Sequence, residues 1–228
     1  MTYHVEFDID FKRNSGPGKY IALEGIDGSG KTTQVERLGQ YFKKQGKSVV
    51  LTKEPRDDGV VGSLIRQVLQ GKLKIPSVAL QYLFSADRAI HHEEIILPAI
   101  KRGEFVISDR CFWSVVPYGI MDQVMQKGGT YDYTQANVLL AAQGLLSHYH
   151  RFTVPDQTFY LSISLEAAMA RITKERATLE IYEEKEKLEK IISGYEWLLK
   201  EFPDELKVMN GEQSVEKVTE EIITKINF

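Results

Sequence analysis

Four residues in one short stretch, Gly25, Gly30, Lys31 and Thr32, stand at the spacing G-x-x-x-x-G-K-[ST]. That spacing suits a loop wrapped around the phosphates of a nucleoside triphosphate. The glycines let the backbone turn with positive φ and bring its N–H groups up to a polyphosphate with no Cβ in between. Lys31 supplies a point charge for the β- and γ-phosphates, and the Thr32 hydroxyl is placed to ligate Mg²⁺. The loop as a whole (Gly25, Ile26, Asp27, Gly28, Ser29, Gly30, Lys31, Thr32 and Thr33) is expected to hold the phosphates of ATP. Asp27 is unfavourable in an anion-binding loop unless a cation or a donor uses it. Mg²⁺, a substrate hydroxyl or an incoming arginine would each do so, and a turn-stabilising aspartate is the plainer alternative.

Three further groups carry chemistry. Glu54-Pro55-Arg56 follows an apolar run, and the Arg56 fork suits a phosphate bidentately, with a surface salt bridge as the competing reading. Phe105-Val106-Ile107-Ser108 runs into Asp109-Arg110, where a strand-end aspartate would hold Mg²⁺ and the arginine would clamp a phosphate. Phe84 and Arg88 are four apart in a helical pattern and so share one face. An aromatic ring and a cation on one face would recognise a nucleobase; a core Phe beside a surface Arg is the alternative. His91-His92-Glu93-Glu94 lacks the H-x-x-x-H or H-E-x-x-H metal spacing and reads as helix surface. The GTPase sequence Asn-Lys-x-Asp does not occur.

These groups need a scaffold that brings them together. Strand-like runs at 20–23, 48–52, 105–108, 157–162 and 206–209 alternate with helical patterns near 31–45, 60–70, 77–101, 112–126, 133–149, 165–177, 183–201 and 214–226. Continuous apolar strands alternating with helices predict a parallel sheet covered on both faces. Ligands of such sheets bind beyond the carboxyl ends of the strands. The phosphate loop, Glu54–Arg56 and Asp109-Arg110 each directly follow a strand. Val5, Phe7, Ile9 and Phe11 alternate with acidic residues, predicting an extra edge strand, or a disordered tail, before the turn at Asn14-Ser15-Gly16-Pro17-Gly18. The charge run over 174–190, with Glu183–Lys187 and Glu186–Lys190 four apart, reads as a solvated helix face.

The 228 residues can bury a sizeable core, and the one cysteine, Cys111, excludes an internal disulfide framework and suits a reducing compartment. With no membrane-length apolar run or signal peptide, a cytoplasmic location is expected. A net charge of −3 argues against nucleic acid as the main partner, though not against a small anionic substrate.

Over nearly the whole chain after Lys19, these segments together resemble the thymidylate kinase family of P-loop nucleoside monophosphate kinases. The resemblance rests on residues 24–34, Glu54-Pro55-Arg56, Phe84-Ser85-Ala86-Asp87-Arg88, Ile107-Ser108-Asp109-Arg110 with Ser114 and Tyr118, and Pro155-Asp156. It implies a three-layer α/β/α domain over 19–228 with a central five-stranded parallel sheet and a short lid near 173–182, after an N-terminal extension at 1–18. It implies transfer of the ATP γ-phosphoryl group to dTMP, giving dTDP, with Mg²⁺, in a homodimer. Phe84 would stack on thymine and Arg88 reach a base carbonyl. Arg56 and Arg110 would hold the acceptor phosphate, with Ser114 beside them, and Tyr118 would pack near the deoxyribose. Lys31, Asp27, Arg110 and a lid cation, assigned to Arg176, would carry catalysis, with Thr32 and Asp109 on the metal. The chain departs from the family at Cys111, commonly Tyr, and at Val115, where some members place a polar side chain against the base edge. Two rivals fit the same residues: a deoxynucleoside kinase with Glu54 as base, and an ATP-binding regulator without transfer activity.

Overall fold

The computed structural model describes residues 10–126, 149, 151–175 and 178–228. Five strands form one parallel sheet: β1 Lys19–Glu24, β2 Val49–Lys53, β3 Phe105–Asp109, β4 Gln157–Ser162 and β5 Leu206–Asn210. Their spatial order is β2-β3-β1-β4-β5, so β1 lies in the centre with β3 on one side and β4 on the other. All five predicted strands are present, with ends shifted by at most one residue.

The β1 sequence is continuously apolar because both of its faces are covered. Tyr20 and Ala22 join one core cluster, and Ile21 and Leu23 the other. The first cluster lies under α2 Gly59–Leu69, α3 Ser77–His91, α4 Leu97–Lys101, α5 Val115–Gln126, α6 Leu165–Glu175 and α7 Lys185–Glu201. The second lies under α1 Lys31–Lys44 and α8 Val215–Lys225, through Val35, Leu38, Phe42, Val218 and Ile222. Helices thus cover both faces, as expected for three layers.

Register fixes what sits at the carboxyl edge. Leu23 of β1 pairs with Asp109 of β3, and Lys53 of β2 pairs with the same Asp109. Three chain exits therefore lie level: the phosphate loop after β1, Glu54-Pro55 after β2, and Arg110 after β3.

Some expectations need correction or a boundary. The helical pattern at 77–101 is broken by a π segment at His92–Ile96 between α3 and α4. His91 and His92 are not helix surface but buried. His91 Nδ1 lies 3.1 Å from Glu54 Oε1 and its Nε2 2.6 Å from Thr52 Oγ1, while His92 stacks on Phe152. A π turn takes an extra residue, which shifts the helix faces that simple periodicity predicts. The solvated face expected from Glu183 also fails: Glu183 is buried and accepts from the Glu180 N–H at 2.7 Å, and Lys187 pairs with Glu184 instead. The alternating residues Val5, Phe7 and Ile9 and the helical pattern at 133–148 lie outside the described residues.

From residue 10 onward the N-terminal extension is packed onto the domain. Phe11 meets the rings of Phe112, Trp113 and Phe202, and Lys12 makes an isolated bridge with Thr153. Asp156 Oδ2 accepts from the Tyr20 N–H at 2.7 Å and from Asn14 Nδ2 at 2.8 Å, tying the turn before β1 to the turn before β4.

Candidate active site

The loop from β1 into α1 makes two turns that a side chain would resist. Gly25 has φ 146°, and a Cβ there would meet Ser29 Oγ at 2.7 Å and the Leu161 carbonyl at 2.9 Å. Gly30 caps α1 in the left-handed region at φ 93°, with no side chain capping the helix. The first N–H groups of α1 are thereby left to an anion, the arrangement that makes a helix N-terminus a phosphate site. Lys31 is buried and folds back to donate to the Ile26 carbonyl at 2.9 Å. Burial and the nearby Arg110 pull its pKa below the usual lysine value, against the opposing pull of Asp109, Asp27 and Glu24.

Arg110 is the hub of the second station. Its φ of 72° is left-handed, a conformation a non-glycine residue keeps only where its surroundings enforce it. Here the Arg110 N–H donates to the Leu23 carbonyl at 2.8 Å, and its carbonyl accepts from Ser108 Oγ at 2.6 Å. The side chain then points at the loop. One terminal nitrogen donates to the Gly25 carbonyl at 2.9 Å and lies 3.3 Å from both Ser114 Oγ and Tyr195 Oη. The other donates to Asp27 Oδ1 at 2.7 Å and Tyr118 Oη at 2.8 Å. Asp27 is also 4.0 Å from Lys31 Nζ, so one carboxylate stands between the two cations.

Under this hub lies Glu24, a fully buried carboxylate. It accepts from the Cys111 N–H at 2.9 Å, Ser114 Oγ at 2.6 Å and Tyr195 Oη at 2.7 Å, joining β1 to the segments after β3 and to α7. Four-coordinate satisfaction of this kind, completed by Cys111 Sγ at 3.3 Å, is what makes a buried charge tolerable. The sequence drew Glu24 only into the family match and assigned it no role. A strand-end glutamate carries no signal of burial.

Facing the loop is a cleft of about 550 Å³. Asp27, Gly28, Ser29, Gly30, Lys31, Thr32, Thr33, Phe84, Arg88, Asp109, Arg110, Ser114 and Tyr118 all line it, which brings most of the sequence-predicted residues together. Thr32 Oγ1 donates to Asp109 Oδ2 at 2.6 Å. Phe84 and Arg88 lie on one wall, the Arg88 guanidinium carbon 5.8 Å from the Phe84 ring centre. Tyr118 crosses Tyr182 edge-on at 5.3 Å, and burial raises its hydroxyl pKa despite the opposing charge of Arg110.

Other predicted residues are placed differently. Ile26 is core beneath the loop and contributes only its carbonyl. Gly25 likewise presents its carbonyl to Arg110 rather than lining the cleft. Arg56 is buried, with its side chain on Asp87 at 3.2 Å and Glu94 at 3.1 Å, and is not among the residues that line the cleft. Arg176 lies outside the described residues. Its upstream neighbour Arg171 does line the cleft and links the Gly28 carbonyl at 3.1 Å to the Gly211 carbonyl at 3.0 Å.

Glu54 is committed too. It accepts from Arg88 Nε at 2.7 Å and lies 3.1 Å from His91 Nδ1. Burial would push its pKa up, but His91 and Arg88 hold the carboxyl below the usual range. A paired carboxylate of low pKa is a poor general base, which removes the geometric support for the nucleoside kinase alternative.

Sequence reasoning missed Gln34, Gln213, Val215 and Val218 at the α1–α8 end of the cleft, and Arg66, Leu69, Gln81, Glu180 and Tyr182 at the other. Gln81 had a readable signal, since it stands three residues before Phe84 on the same helical face. Arg66 lies 3.6 Å from Glu180, and the Ile181 N–H donates to the Leu69 carbonyl at 3.1 Å, so the segment before α7 is fastened to the end of α2.

Comparison with known proteins places this geometry in context. The Thymidylate kinase family profile matches residues 23–222. The chain is 34% identical over 215 residues to a probable thymidylate kinase of Pyrococcus horikoshii, covering 92% of this chain and 96% of that one. It is 36% identical over 207 residues to a thymidylate kinase of Thermoanaerobacter sp. (strain X514), covering 90% and 96%. The solved structure of thymidylate kinase from Candida albicans superposes with a TM-score of 0.75 at 24% identity, over 92% and 91% of the two chains, and so shares the fold.

Proposed function

The chain belongs to the thymidylate kinase family, and we infer from that membership and from its cleft that it transfers the γ-phosphoryl group of ATP to dTMP, giving dTDP. The observation that carries the reading is the pair of cationic stations flanking Asp27. Lys31 belongs to the donor loop and Arg110 to the far side, with an aromatic wall at Phe84 beyond it. Two polyanions approaching one another need this arrangement, because phosphoryl transfer is chiefly alignment and charge neutralisation.

The residues divide the work as follows. The loop N–H groups and Lys31 hold the ATP phosphates, and Arg110 with Ser114 takes the dTMP phosphate. Phe84 stacks on the base, Arg88, oriented by Glu54, meets a base carbonyl, and Tyr118 walls off the deoxyribose. The acceptor needs no general base, since a phosphate monoester with a second pKa of about 6 is mostly ionised at neutral pH. Arg56, bound to Asp87, would have to leave Glu94 to reach that phosphate. Arg176 remains our assignment for the lid cation on the sequence reading alone.

Thr32 and Asp109 put two hard oxygen donors side by side, a set that fits Mg²⁺ completed by phosphates and water. Among the described residues no group of three or more His, Cys, Asp or Glu side chains could hold a metal. Held by Thr32 and Asp109, the ion would supply charge neutralisation at the β- and γ-phosphates.

The homodimer belongs to the same proposal, supported by exposed Val60 on α2 and Val78 and Tyr82 on α3, and equilibrium sedimentation tests it. A cytoplasmic location fits the absence, among the described residues, of any helix able to cross a membrane. Coupled ADP release with dTMP, dUMP and thymidine as acceptors tests the reaction. Turnover with dTMP is expected; turnover with thymidine alone would overturn the reading.

A further inference from the structure

Val115 lies buried on the cleft wall and offers the base no hydrogen bond. A polar group on the cleft wall comes instead from α3. Gln81, Phe84 and Arg88 are spaced i, i+3 and i+7, and all three line the cleft. Gln81 Nε2 donates to Asp122 Oδ2 at 2.6 Å, and Tyr182 Oη donates to the same oxygen at 3.1 Å.

That contact dictates which end of the amide faces the ligand. A carboxylate only accepts, so the Gln81 NH₂ must turn to Asp122 and the carbonyl oxygen must turn away from it. Among the described residues that oxygen receives no hydrogen bond, so the wall presents an unused acceptor. Arg88, about two turns along the same face, presents a donor. Thymine and uracil carry an N3–H donor beside a carbonyl acceptor. Cytosine carries an acceptor at N3.

Resting on the dTMP reading above, we propose that Gln81 reads the N3–H of the pyrimidine, with Asp122 and Tyr182 as positioning residues that fix its amide. The role a polar side chain at Val115 would have filled is thus moved across the pocket to α3. Specificity follows from orientation: a cytosine N3 would face the Gln81 oxygen lone pair to lone pair, and an N3-methyl group would collide with it. Leaving a buried polar partner unmatched is what gives a hydrogen-bonding site its discrimination.

The test is steady-state kinetics of the full chain at about pH 8, above the value of about 6 to which burial raises the Asp122 carboxyl, so that the group is ionised. Acceptors are dTMP, dCMP and N3-methyl-dTMP, and variants are Gln81→Met, which preserves length and volume, and Asp122→Asn, which lets the Gln81 amide turn either way. In Gln81→Met the preference for dTMP over N3-methyl-dTMP should fall roughly tenfold or more, through the dTMP KM, with the ATP KM unchanged. Asp122→Asn should lose part of the preference over dCMP, again in KM rather than kcat. An unchanged preference in an active Gln81→Met enzyme would overturn the inference alone. A wild-type enzyme inactive with dTMP would overturn the acceptor reading and the inference with it.

Discussion

Replacing Arg110 with lysine keeps the charge and removes the fork. The guanidinium serves two groups of acceptors at once, the Gly25 carbonyl with Ser114 and Tyr195 on one nitrogen, Asp27 with Tyr118 on the other. A single ammonium can keep one group and must abandon the other. Hydrogen bonds to charged groups contribute about 1.5–3 kcal/mol each, and two lost together amount to about 3–6 kcal/mol. If the same fork clamps the acceptor phosphate, kcat/KM for dTMP should fall by about 10²–10⁴, since about 1.4 kcal/mol is tenfold in rate. Coupled ADP release, with dTMP varied at saturating ATP and then the reverse, separates the two sites. The ATP KM should stay within about threefold. A thermal melt supplies the control, because the fork also joins the loop to α5 and α7 and its loss should lower the Tm. A variant that melts lower yet keeps kcat/KM for dTMP within about fivefold would refute the reasoning: Arg110 would then be a staple and not a phosphate ligand.

Four other outcomes follow from the same geometry. Lys31→Ala should lower kcat at least about tenfold through lost phosphate stabilisation, and unchanged turnover would contradict its role. Phe84→Ala should raise the dTMP KM far more than the ATP KM; equal rises would return Phe84 to the core. Glu54→Gln should raise the dTMP KM by freeing Arg88, without moving the pH dependence of kcat, whereas a lost ionisation in that profile would revive the base role. Burial raises the Asp122 carboxyl from 3.8 to about 6, so the folded state holds its proton more tightly than the unfolded state does. The resulting stability is complete below the unfolded pKa and is lost as pH rises through about 6, leaving a penalty on the order of 2–3 kcal/mol at neutral pH. Asp122→Asn should therefore gain more in Tm over wild type at about pH 8 than at about pH 5, and an equal difference at both would refute this.

The strands were legible because burial on both faces leaves no alternative to a continuous apolar run, as Tyr20 through Leu23 shows. The phosphate loop was legible because its backbone geometry admits few residue types. Glu24 was not: whether a strand-end carboxylate is solvated or holds four donors depends on residues some 90 and 170 positions away. Arg56 reads as a phosphate ligand beside its proline, and only the position of α3 turns it toward Asp87. The buried His91-His92 pair was hidden by the π segment, which changes the face a periodicity count assigns. Gln81 was legible only as a position on the Phe84 face; its role depends on Asp122, on another helix, which fixes its amide.

Asp27, held between Arg110 and Lys31, has a kinetic consequence. It is an anion tethered to the loop it serves, so its effective concentration at Arg110 is high whatever the nucleotide level in solution. If Arg110 takes the acceptor phosphate as proposed, that phosphate would displace a resident rival on arrival and be succeeded by it on departure. The arginine would exchange partners through the cycle without being left bare. Such a competitor would weaken both substrate and product and speed product escape, the step at which turnover commonly stalls.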